Sequence, residues 1–388
     1  MKSYLLISVF LLTMTAWAQS DISALGNLPM QVNETSGLIY YNNKLITHND
    51  SDTAPELYEL DPLTLSITRT ITISNALNID WEDITQDENY IYVGDIGNNS
   101  GNRQDLSILK IAKADFDVSN LVTAEIISFT YEDQTIFETA QNSDFDAESL
   151  FVMNDELIVL TKQWQSLGTV AYALPKIPGV FVAERVDAYQ IDGLVTGATY
   201  DSATNQLFLV GYSQFLTPFF VQITEVRPNS IFNGTVNKLN LAIGQAQVEA
   251  ITLNSEGLFY ITSEEYSNPP ILNSPSQLYS FSLDEDQVEE EEEEKEEEEV
   301  IDNPSEFDQS ADLVLFKTFD SSYLNYSLKT DKTVVRMAIF DSMGRMVSST
   351  PLENMTDEPI DLSTLSPSLY YLSFFLVDGV ISAPFLRN

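Results

Sequence analysis

The chain of 388 residues has no cysteine, which excludes disulfides, thiol nucleophiles, iron–sulfur clusters and cysteine-bound zinc. Histidine occurs once, at His48, and a lone imidazole without cysteine argues against zinc of any kind. Basic residues are scarce, 18 against 59 acidic, for a formal charge of −41. Such a surface repels phosphate backbones and anionic lipid, so nucleic acid and membrane surfaces are poor partners and cations are natural ones. No run approaches the ~20 apolar residues that a membrane-spanning helix needs, so no transmembrane segment is expected. Stability must come from hydrophobic burial, for which a chain of this length suffices across about two domains.

The ends carry their own signals. Lys2, the apolar run from Tyr4 to Leu12 and the small-x-small site Ala16-Trp17-Ala18 have the three parts of a secretory signal peptide, residues 1–18, with Gln19 as the new N-terminus. Between Asp284 and Asp308 stand 16 acidic residues and one lysine, Lys295. Like charges at that density have no apolar face to bury, so 284–311 reads as a disordered Glu-rich linker.

The segment 19–283 is a succession of short β-rich runs separated by Asn, Asp, Gly and Ser turns, with almost no helical periodicity. A unit recurs five times, opening at Ser36-Gly37-Leu38, Glu82-Asp83-Ile84, Glu148-Ser149-Leu150, Thr196-Gly197-Ala198 and Glu249-Ala250-Ile251. The openings are 46, 66, 48 and 53 residues apart, the period of a four-stranded propeller blade. The fold class is therefore all-β, a β-propeller of five blades by repeat count, or six if the long second unit hides another. The fifth unit lacks a fourth strand, which the N-terminal segment from Ile22 to Val32 is placed to supply. Residues 312–388 read as a small C-terminal β-sandwich, with strands such as Thr333 to Phe340 and Ser368 to Val377.

In a propeller the loops before the first strand and after the second of each blade emerge on one face. The repeat therefore sends Glu82, Glu148 and Glu249 toward a common axis. Carboxylates packed that closely need a bound cation or a shared proton, and hard oxygen donors suit Ca²⁺ best. The metal candidates are Glu82, Glu148, Glu249, Asp95 and Asn98. The alternative role for these glutamates is to accept backbone amides of neighbouring blades and tie the ring. Asp50, Asn99, Arg103, Lys162 and Glu264 share the face as ligand-binding candidates, with Arg103 suited to an anionic group or to pairing with Asp105. Lys162-Gln163-Trp164 suggests a binding wall. Glu82, Asp83 and His48 are the groups from which a general base would be drawn, though no nucleophile elbow accompanies them.

Two resemblances accompany these readings. Glu34-Thr35-Ser36-Gly37-Leu38, His48-Asn49-Asp50-Ser51, Asp80-Trp81-Glu82-Asp83-Ile84 and Gly94-Asp95-Ile96-Gly97-Asn98-Asn99 resemble motifs of the SdiA-regulated and phytase-like propellers, over residues 19–283. Ile339-Phe340-Asp341-Ser342-Met343-Gly344-Arg345-Met346-Val347, with Ile360-Asp361-Leu362-Ser363-Thr364-Leu365, resembles the type IX secretion sorting domain of the Bacteroidetes, over 312–388. The second implies passage through the periplasm and outer membrane by the type IX machinery, to a secreted or cell-surface location. The function expected is a calcium-stabilised propeller that binds a glycan, protein or small molecule at its acidic channel face. The alternative is a calcium-dependent hydrolase of phosphate esters or lactones.

Overall fold

The computed structural model describes residues 22–51, 53–140, 142–268 and 272–283, with segments of 313–387. The expected signal peptide and acidic linker lie outside the described residues. Strand β1 (Ser23–Asn27) precedes a first antiparallel meander of β2 (Thr35–Tyr41), β3 (Lys44–Asn49), β4 (Glu56–Leu60) and β5 (Ile67–Ile73). The turn between β2 and β3 is made by Asn42 and Asn43, at φ 50° and 59°, the left-handed pair that a two-residue hairpin requires and that asparagine tolerates.

The second meander is β6 (Trp81–Gln86), β7 (Tyr90–Asp95), β8 (Ser107–Ala112) and, after the short β9 (Leu121–Val122), β10 (Glu125–Tyr131). The third is β11 (Ala147–Met153), β12 (Glu156–Thr161), β13 (Thr169–Pro175) and β14 (Gly179–Tyr189). The fourth is β15 (Leu194–Asp201), β16 (Gln206–Tyr212), β17 (Pro218–Ile223) and β18 (Val236–Asn240). In the last, β19 (Val248–Leu253) and β20 (Leu258–Ser263) are followed by the hairpin β21 (Tyr266–Asn268) and β22 (Leu272–Ser274) and then β23 (Gln277–Ser282).

Strand β1 pairs antiparallel with β23, Ser23 opposite Ser280 and Asn27 opposite Gln277, and so supplies the outer strand the last meander lacks. The inner strands β2, β6, β11, β15 and β19 touch in that cyclic order, and β19 returns to β2. Five separate apolar cores lie between successive sheets, such as Ile39, Leu57, Trp81 and Val93 between the first two and Leu38, Tyr58, Ala250 and Leu278 between the last and the first. Sheets packed face to face around an axis give the propeller-like, all-β arrangement expected from the repeat. The added length of the second unit goes to a helical turn at Lys113–Phe116, to β9, which pairs in parallel with β5, and to the connection after β10. At their outer edges the second and third meanders join through a parallel pairing of β10 with β14.

Toward the C-terminus, β24 (Leu313–Phe316), β25 (Tyr323–Leu328) and β28 (Ile360–Asp361) form one small sheet. A second comprises β26 (Val334–Asp341), β27 (Met346–Pro351), β29 (Ser368–Leu376) and β30 (Gly379–Arg387). Leu313 and Leu324 of the first share a core with Ile339, Leu372, Phe374 and Phe385 of the second.

Candidate functional site

Each inner strand is bulged at its start. The antiparallel register skips one residue there: Gly37 in β2, Glu82 in β6, Glu148 in β11, Thr196 in β15 and Glu249 in β19. A bulge leaves its extra residue unpaired and re-aims the side chain, so one repeated backbone device turns all three glutamates toward the channel. The loops after the second strands add Asp50, Asn99, Lys162 and Glu264. Together with Ser36, Trp164, Tyr212 and Gln247 these residues line a single pocket of about 180 Å³.

Lys162 is the pocket's internal counter-ion. Its ammonium donates to both oxygens of Glu148 at 2.6 Å and to Tyr212 Oη at 3.2 Å, and sits 4.6 Å from the Trp164 ring. Glu148 thus has a cation of the protein's own, where the repeat alone suggested a bound ion, a shared proton or backbone amides. Glu82 differs: it is 4% exposed, and among the described residues no donor or cation reaches its carboxylate. Burial, then the negative charges of Asp50 and Glu148, push its pKa well above the usual carboxylate range. Asp80 rises to about 7 through burial and its neighbours Asp50 and Asp146, and Glu264 to about 8 through burial and Asp50.

Two carboxylate trios share Glu82: Asp50 with Asp80, and Asp146 with Glu148, the candidate ligand oxygens of each trio lying within 4.8 Å of one another. The loop after β7 makes this approach feasible at Gly97, where a Cβ would overlap Glu82 Oε1 and Asp80 Oδ2. All-oxygen donor sets of this kind fit a hard cation such as Ca²⁺. Asp146 is held from behind by Asn98 N at 2.6 Å and Trp164 Nε1 at 2.8 Å.

Other candidates stand outside the pocket. Asp95 pairs with Arg103 at 2.8 Å and accepts Asp80 N, so its carboxylate braces the loop rather than joining either trio. Arg103 also donates to Gly97 O at 2.9 Å and to Asp105 at 3.1 Å, which places it behind that loop and outside the pocket lining. Asn98 is consumed by Arg103 N and Phe145 O. Asp83 turns from the channel and accepts Ile84 N at 2.8 Å and Leu150 N at 2.7 Å, so the blade-tying role considered for the glutamates belongs to the aspartate beside one of them. Ser36 and Thr196 make similar ties to the carbonyls of Glu82 and Val248.

His48 is fully buried, edge-on to Trp81 at 5.7 Å, with Nδ1 on Asn49 O, and burial lowers its pKa to about 4. It does not line the pocket. Gln247 is the lining residue that sequence reasoning passed over. It stands just before β19, in the connection that leads to the bulged Glu249, where no strand periodicity singles it out.

No family model and no curated protein matches the chain. Among solved structures, the PQQ-bound aldose sugar dehydrogenase of Streptomyces coelicolor aligns at 8% identity over 69% of this chain and 100% of its own, with a TM-score of 0.40. A glucose dehydrogenase aligns at 9% over 68% and 100%, TM-score 0.41. Virginiamycin B lyase of Staphylococcus aureus aligns at 10% over 95% and 99%, TM-score 0.32. Likenesses this distant leave the chemistry to the residues of the chain itself.

Proposed function

We propose that this chain is a five-bladed propeller that binds a ligand at the acidic mouth of its channel, with a calcium ion held by Asp50, Asp80 and Glu82. The observation that carries this reading is the buried Glu82 carboxylate, which faces the pocket without a donor and belongs to both trios. A cation there offsets the repulsion that burial imposes on these carboxylates. Among the pocket residues, Asn99 offers a side-chain amide to a ligand, and Gln247, whose Nε2 donates to Tyr212 Oη at 3.1 Å, offers its carboxamide oxygen. The hydrolytic alternative retains Glu82 as a base, since Asp83 is engaged with backbone amides. We also propose, from the sequence of the two ends, export followed by type IX sorting. Among the described residues no helix is long and apolar enough to cross a membrane.

Calorimetric titration of chelator-treated protein with calcium tests the metal. Saturable binding is expected, weakened more than about tenfold in Glu82→Gln. Absence of binding, or an unchanged affinity in the variant, overturns the calcium site. Phosphomonoester, phytate and lactone substrates assayed beside it decide the hydrolytic alternative, which requires turnover above the Glu82→Gln background.

A further inference from the structure

The acidic pocket has a neighbour. A second cavity of about 310 Å³ is lined by Leu194, Leu216, Tyr266, Trp164, Tyr212 and Gln247, and the last three also line the acidic pocket. The two adjoin along Trp164, Tyr212 and Gln247, giving a cleft with carboxylates at one end and, at the other, apolar and aromatic side chains beside the polar Asn142, Ser213 and Gln214. At that junction the charges do not balance. Lys162 is engaged by Glu148, and Asp50, Asp80 and Glu82 form a trio of their own. Glu249 and Glu264 remain, the second held beside Gln247 by its backbone N–H on Gln247 O at 3.0 Å.

Glu249 is 6% exposed and its carboxylate receives one long contact, Gln247 Nε2 at 3.4 Å. An anionic ligand would be repelled here. A neutral sugar would hydrogen-bond but leave buried negative charge uncompensated. A cation on an apolar stem meets both ends. The rings of Trp164 and Tyr212 already carry one ammonium, that of Lys162, at 4.6 and 5.3 Å, and such faces attract cations generally.

We propose that the cleft takes an ammonium or guanidinium group on a short apolar stem, the cation at Glu249 and Glu264 and the stem along Trp164 and Tyr212 toward Leu194 and Leu216. This names the ligand class of the binding reading above and rests on its pocket, though not on its calcium ion.

The test uses the full mature chain with calcium present, titrated in parallel with butylammonium, butanol, butyrate, methyl glucoside and a blocked Gly-Lys-Gly peptide. Heat and the change in tryptophan fluorescence, to which Trp164 contributes beside the buried Trp81, are the readouts. Butylammonium or the peptide is expected to bind at least roughly tenfold more tightly than butanol or the glucoside, with butyrate weakest. Binding of the peptide assigns the site to a lysine side chain of a partner, and binding of butylammonium alone to a free amine. Glu249→Gln/Glu264→Gln should abolish the preference while saturable calcium binding persists, altered only by the loss of negative charge near Asp50, with Glu264→Gln alone as the variant of choice if the pair does not fold. Butanol or glucoside binding as tightly as the cations, or cation binding that survives both substitutions, overturns the proposal. Loss of calcium binding with cation binding intact overturns only the calcium site.

Discussion

Lys162 and Glu148 form a buried ion pair inside a ring of like charges, and that position makes a strong prediction. Removing one partner of a buried pair leaves an uncompensated charge, typically at a cost of about 3–5 kcal/mol. Lys162→Met should therefore lower the unfolding free energy of calcium-free protein, measured by urea titration, by an amount in that range, and Lys162→Met/Glu148→Leu should recover most of it. A single variant within about 1 kcal/mol of wild type would show that Glu148 finds another partner. The glutamates themselves were legible from the repeat, because the openings of successive units align them. What they bind was not. Lys162 reads as one more loop residue on the face, and only the fold reveals that its ammonium lies on Glu148. His48 and Arg103 drew attention as rare charged or titratable types, yet both are held by groups that sequence separation cannot rank: the neighbouring backbone for His48, and Asp95 with Gly97 O for Arg103.

At the scale of the element, the inner-strand bulge and the loop after β7 cooperate. The bulge presents Glu82, and the loop folds back so that Gly97 N and Ile96 N both donate to Asp80 O at 3.1 Å, which brings Asp80 beside Glu82. Gly97 has a conformation open to other residues, but space for a methyl group is lacking because two carboxylate oxygens occupy it. Gly97→Ala should accordingly spare the fold, as judged by circular dichroism, and weaken calcium binding by more than about tenfold. Unchanged calcium affinity would mean that Asp80 and Glu82 do not act together.

Strand boundaries were legible to within a residue where turn residues bracket the run, as for β26, expected at Thr333 to Phe340, and β29, expected at Ser368 to Val377. The bulges were not, since an extra residue in a ladder leaves the hydrophobic alternation of the rest of the strand intact. The parallel joining of β10 to β14 likewise has no local signal, because the connection after β10 carries no strand pattern of its own.

For the molecule as a whole, the buried carboxylates set the response to pH. Folding raises the pKa of Asp80 from 3.8 to about 7 and of Glu264 from 4.5 to about 8, so between those values the folded state binds more protons than the unfolded one. Stability from such groups is present at low pH and is lost as pH rises through the folded pKa values. His48 has the opposite sign: its folded pKa of about 4 lies below the ordinary 6.5, so its contribution grows with pH up to 6.5 and is then complete. Asp61, lowered to about 2, matters only in acid.

Above about pH 6.5, then, only the raised carboxylates still change the balance, and the melting temperature in the presence of chelator should fall from there to about pH 8.5. Calcium binds the deprotonated form and displaces the remaining protons, so its stabilising effect should grow across the same interval and cancel the fall. Thermal scans with chelator and with millimolar calcium at several pH values test both statements. A melting temperature that rises with pH in chelator above neutrality would mean that these carboxylates are charged and satisfied without a metal. The acidic channel would then be balanced by the protein's own cations alone.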